Sequence, residues 1–188
     1  MSTANKVIMA WSKCKVEFGP TGENDAFATT LTDVGKIKNQ STELSSDSGD
    51  TLTETATGGE IVAMEQLDGS LKLQTTVIEP SAALYKALGI ADDEGSDGEQ
   101  KVKTHIVDGD MSVKVTPKNK GAKGIKAPVT RMSVAPAFDE QNGNSLVITW
   151  NIFKTTAIAP TVSGSGNTAT ETDNNYWYSR FTTKTALK

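Results

Sequence analysis

The chain has 188 residues but only one cysteine, Cys14, and one histidine, His105. A single cysteine excludes an intramolecular disulfide framework and any multi-cysteine metal site, and a single histidine excludes every site built on two imidazoles. No apolar run approaches the roughly 18 residues of a membrane-spanning helix. The opening MSTANKVIMAWSKCKVEFG carries no apolar block of signal-peptide length before its first charges. The net charge of -4 gives no basic surface for bulk nucleic-acid binding. There is no Gly-x-Ser-x-Gly elbow, no phosphate-cradling loop and no dinucleotide glycine motif. The sequence therefore offers no catalytic residue, no metal ligand set and no cofactor, and it reads as not an enzyme.

What the chain does have is threonine, 25 of them. Threonine is β-branched and suits a pleated, half-exposed surface. Apolar residues alternate in Cys14-Val16-Phe18, in Leu71 to Ile78, in Met111-Val113-Val115, in Val129 to Ala135 and in Leu146-Ile148-Trp150-Ile152. That period belongs to strands with one covered face. The first strand is expected over Lys6 to Phe18, with a parity change near Ser12-Lys13. Asp68-Gly69 and Gly58-Gly59 read as hairpin turns because they accept positive φ. Pro117 to Lys126 reads as a long loop, and Pro136 to Asn144 as a turn. Phe153 and Val147 make the last long strand read as covered on both sides.

One helix is expected at about residues 81–88. Ser81 can cap it, Leu84 and Leu88 share a face, and Gly89 stops it. A helix so short must pack on the sheet. The fold class is therefore mainly β, an antiparallel β-sandwich or partly closed barrel with one short α-helix. Residues 1–156 form the β domain. Residues 157–188 form a polar extension that ends in the aromatic cluster Tyr176-Trp177-Tyr178-Ser179-Arg180-Phe181, which needs something to dock on.

Local candidates for chemistry reduce to ordinary roles. His105 reads as a surface or sheet-face histidine, and Cys14 as a buried small residue. The acidic loop Asp92 to Glu99 superficially resembles a calcium loop. Counted from Asp93, however, the twelfth position is Thr104, where a bidentate Glu is required, so it reads as a solvated loop.

Charge is segregated along the chain. Between Asn39 and Leu71 stand seven acids and no Lys or Arg, and between Lys114 and Lys126 stand five lysines and no acid. Two solvated faces would account for this in a lone domain. In an assembly, an acidic strand face repels DNA phosphates and a basic loop can meet an acidic one on the next subunit.

Three features resemble the major tail tube protein of long-tailed bacteriophages and prophages. They are the threonine-rich hairpin region Gly35 to Val62 after a short N-terminal strand, the helix Pro80 to Gly89 directly after a long strand, and the closing pair Lys126 to Thr130 and Asn144 to Trp150. The likeness covers roughly residues 1 to 156, judged by element order. The tube protein of type VI secretion is similar in fold. The resemblance implies a structural virion protein, a ring subunit, typically of a hexamer, that stacks into a hollow tail tube conducting DNA. It implies tape-measure and tail-terminator proteins as partners, transient DNA in the lumen, no membrane, and a place in the virion tail after the bacterial cytoplasm. Under this reading Glu43, Asp47, Asp50, Glu54 and Glu60 belong to a lumen-lining hairpin. Lys114, Lys118, Lys120, Lys123 and Lys126 form an inter-subunit basic loop. The competing reading is a monomeric β-sandwich binding module or surface adhesin.

Overall fold

The computed structural model describes residues 13–140, 143–156, 176–185 and 187. The first half of the strand expected over Lys6 to Phe18 lies outside them. Ten strands and one short α-helix follow in order: β1 (Cys14–Pro20), β2 (Thr32–Asp33), β3 (Glu43–Asp47), β4 (Thr51–Thr55), β5 (Ile61–Gln66), β6 (Ser70–Ile78), α1 (Ala82–Ala87), β7 (Ile106–Pro117), β8 (Lys123–Asp139), β9 (Gly143–Ile152) and β10 (Ser179–Thr182). The main sheet runs β2-β1-β7-β8-β9-β6-β3, with β10 also on β8, and every pairing is antiparallel. The mainly β, antiparallel class with one short helix is what the alternation required.

The sheet curls so that alternate residues meet inside. Val16 and Phe18 from β1, Val113 and Val115 from β7, and Leu146, Ile148 and Trp150 from β9 are all buried. No barrel closes. Residues 34–42 strap the open side instead: the amide of Val34 donates to the carbonyl of Val16, and that of Lys38 to the carbonyl of Thr76. The Cys14 thiol lies 3.4 Å from the Thr42 hydroxyl, which is 2.8 Å from the buried Thr75 hydroxyl, so β1, strap and β6 are linked through side chains.

Helix α1 is set by its two ends. The Ser81 hydroxyl accepts from the Leu84 amide. At the other end the Ile90 amide donates to the Tyr85 carbonyl and the Gly89 amide to the Lys86 carbonyl, with Gly89 at φ +69°. That is a Schellman stop, open to glycine because no Cβ opposes positive φ. Leu84, Tyr85, Leu88 and Ile90 then bury themselves against the sheet.

Three expectations change. The loop placed over Pro117 to Lys126 shrinks to residues 118–122, because β7 runs to Pro117 and β8 begins at Lys123. The turn placed over Pro136 to Asn144 likewise shrinks, since β8 reaches Asp139 and β9 begins at Gly143. Phe153 is exposed and Val147 only half-buried, so β9 is fully covered on one face alone.

The aromatic cluster docks on the chain's own body. Where β9 ends against Thr130 of β8, β10 takes over the same strand at Lys126 to Lys123. Trp177 and Tyr178 pack against the core. Phe181 lies across Gly124, with the ammonium groups of Lys114 and Lys126 5.7 and 5.6 Å from its ring centre.

Candidate assembly surface

Among the described residues, strands β4 and β5 pair with each other and with no other strand, and every residue from Asp50 to Asp68 is exposed. They are nonetheless the outer half of one long ribbon whose inner half is β3 and β6. Asp47 pairs with Ser70 and Thr51 with Gln66, four residues further on each strand, so the register is unbroken across the gap. The Leu67 amide donating to the Asp50 carbonyl holds that gap closed. The tip is a turn in which Gly58 and Gly59 take φ of +106° and +85°. A two-stranded ribbon alone is marginal in water. This one is held at its root and left bare beyond it.

The unbroken register fixes which residues share a face, because paired residues point the same way and neighbours alternate. One alternation carries Leu44, Leu71 and Leu73, which pack toward the core. Counted outward it continues through Leu67 and Asp50 to Leu52 and Glu65, then Glu54 and Ala63. The apolar stripe of the core thus runs past its cover: Leu73 is fully buried, Leu71 half-buried, Leu67 40% exposed and Leu52 54% exposed. The opposite alternation carries Glu43, Ser45 and Asp47 with Gln74, Lys72 and Ser70, then Thr51 and Thr53 with Gln66 and Met64. Near the tip a bulge brings Ile61 opposite Thr55 and adds two further exposed apolar residues, Ile61 and Val62.

The five acids singled out from the sequence therefore divide. Glu43 and Asp47 stand on the polar face, Asp50 and Glu54 on the face that continues the core stripe, and Glu60 in the tip turn. Two acids of the stretch, Asp47 among them, are neutralised across the ribbon root. Lys72 lies 3.2 Å from Asp47, and Lys154 pairs with Asp68. The hydrogen bonds of Asp47 with Lys72 and Ser70, with the Lys72 charge, hold its carboxyl below the ordinary carboxylate range. Sequence counting missed both lysines because Lys72 arrives from β6 and Lys154 from just beyond the end of β9.

The five lysines also divide. Lys118 and Lys120 lie in the β7–β8 turn, whereas Lys114 is in β7 and Lys123 and Lys126 are in β8. Lys114 and Lys126 flank Phe181, Lys114 also reaches Glu17 at 3.7 Å, and Lys123 bonds the Thr182 hydroxyl. His105 is exposed and uses its carbonyl to accept from the Val134 amide. Burial pushes the Cys14 thiol up, against a smaller opposing effect of its hydrogen bond with Thr42. Among the described residues no group of three or more His, Cys, Asp or Glu is arranged to hold a metal ion. None of their helices is long and apolar enough to cross a membrane.

The fold and this surface define a β protein with an uncovered ribbon arm. No family model matches the chain, and no curated protein matches it either.

Proposed function

We propose that this chain is a structural subunit that forms rings, and that the rings stack into a hollow tube of the phage-tail kind through which DNA passes. The observation that carries the reading is the arm from Asp50 to Asp68, where the face of the core continues through Leu67 to Leu52 with nothing over it among the described residues. Exposed apolar side chains gathered on one arm, here Leu52, Ile61, Val62, Met64 and Leu67, mark an interaction surface. Both edges of the β4–β5 ribbon also have free hydrogen-bonding groups, which template pairing with another strand.

In a ring, each arm lies beside the next. Its Leu52 and Leu67 face packs on the neighbouring subunit, and the opposite face lines the bore. That bore face carries the hydroxyls of Thr51 and Thr53, the carboxylate of Glu43 and the Lys72-paired carboxylate of Asp47, beside the exposed Met64, and is continuous with the polar outer face of β9 at Thr149 and Asn151. Carboxylates and hydroxyls repel or ignore the DNA backbone, whereas bare lysines would hold phosphates through counterion release. The subunit reaches the virion tail from the bacterial cytoplasm, with tape-measure and terminator proteins fixing tube length.

Negative-stain microscopy of the purified chain, with sedimentation velocity, tests the reading. Rings or hollow tubes support it. A protein that stays monomeric at high concentration favours the binding-module reading instead.

A further inference from the structure

A second surface feature of the described residues lies away from the arm. It is an open cleft of about 930 Å³ between the start of β1, the strap 35–42 and the end of β7. Five lysines line it (Lys13, Lys15, Lys36, Lys38 and Lys118) against a single carboxylate, Asp33. Lys13 and Lys118 stand side by side on one wall, where the Lys118 amide donates to the Lys13 carbonyl at 2.6 Å. Lys15 is already engaged by Glu17 and Asp33, and Lys36 by Glu79. Like charges gathered around a concavity raise its potential and select an anionic occupant.

The same chain carries a matching occupant. After α1, residues 92–99 form a compact turn, with the Gly98 amide donating to the Gly95 carbonyl and the Gly95 amide to the Glu99 carbonyl. Asp92 and Asp93 are paired with Lys103 and Lys86. Glu94, Asp97 and Glu99 form no ion pair among the described residues and are exposed. No residue is common to this loop and the cleft.

We infer that the lysine cleft receives the acidic loop 92–99 of a second copy of this chain, with Glu94, Asp97 and Glu99 set against Lys13 and Lys118. The inference rests on the self-assembly reading and deepens it by naming a contact. Because loop and cleft are different surfaces, the contact is heterologous, and a heterologous contact propagates from copy to copy into rings or filaments. Charge complementarity of this kind chiefly sets register and encounter rate.

A charge swap in the full-length chain tests it. One variant carries Lys13→Glu and Lys118→Glu; the other carries Glu94→Lys, Asp97→Lys and Glu99→Lys. Each alone places like charges at the contact and should raise the concentration needed for assembly at least about tenfold. Mixed one to one, each variant's loop meets a cleft of opposite sign, and assembly should return. Melting curves confirm that both variants are folded. As a second readout, maleimide labelling of Cys14, which also lines the cleft, should slow on assembly of the wild type. Variants that assemble like wild type, or a mixture that fails to recover, overturn this contact while leaving the tube reading standing. Unchanged assembly together with tripolyphosphate binding to the wild type, lost in the Lys13→Glu, Lys118→Glu variant, would make the cleft a small-anion site and overturn it too. A wild type that never assembles overturns both.

Discussion

Gly69 faces the carbonyl oxygen of Asp47 so closely that any β-carbon on it would overlap that atom. Gly49 stands in the same relation to the carbonyl of Leu67. The two glycines sit in the stretch where the ribbon leaves the body of the sheet, and they let its strands close there without breaking register. Gly69→Ala should cost about 1–3 kcal/mol, the usual range for overpacking. Urea denaturation measures it, with Thr53→Ala on the exposed arm as a control near zero.

The core argument makes a separate claim. Trp150 is fully buried near the C-terminal end of β9, between Leu73 and Met132 on the neighbouring strands. Trp150→Ala should cost about 3–5 kcal/mol through lost burial and the cavity left behind. A loss below 1 kcal/mol in chemical denaturation would mean that the sheet does not curl around this residue.

Docking of β10 depends on Phe181 filling the space above Gly124. Phe181→Ala should cost about 1–2 kcal/mol, from a half-buried ring and two cation–π contacts. It should also speed proteolysis of the C-terminal segment. Unchanged proteolysis would count against docking on the chain's own body.

The Asp47–Lys72 pair gives a pH-dependent signature. A carboxyl whose folded pKa is depressed contributes stability above its ordinary value and loses that contribution as pH falls toward the folded pKa. Asp47 is exposed, so the effect on global unfolding is small, but its own titration is diagnostic. In Lys72→Met, the Asp47 titration followed by NMR should move up toward the ordinary carboxylate range. No movement would place the cause elsewhere than Lys72.

Alternation in the sequence was enough to read β1, β6, β7 and β9 and the inward set Val16, Val113, Ile148 and Trp150, because a one-sided core writes its period into each strand. Helix α1 was legible from Ser81 and Gly89 for the same local reason. The turn lengths were not. Lys123 and Lys126 read as loop because β8 begins with small, polar and charged residues, and only its pairing with β7 and β10 makes it a strand. The division of the acids was hidden for a related reason. Whether Glu54 shares a face with Asp47 depends on the register across Gly49 and Gly69, and that is a property of two strands together. The bare arm was invisible too, since Leu52 and Leu73 look alike in sequence and differ only in what lies over them.

Two ribbon variants separate assembly from passage. Leu52→Ser with Leu67→Ser should leave monomer stability within about 0.5 kcal/mol, as exposed substitutions do. It should abolish assembly. Glu43→Lys with Asp47→Lys should still assemble, and its tubes should retain DNA that wild-type tubes release. Retention is measured by nuclease protection. Equal release from both would remove the acids from the bore.

The most direct test of the account is a cryo-EM map of the assembled protein at side-chain resolution. The account predicts the β4–β5 arm beside a neighbouring arm, with Leu52 and Leu67 buried on the next subunit and Thr51, Thr53, Glu43 and Asp47 facing the bore. A map with Leu52 and Leu67 in solvent, or with Glu43 and Asp47 on the outer surface of the tube, would contradict it.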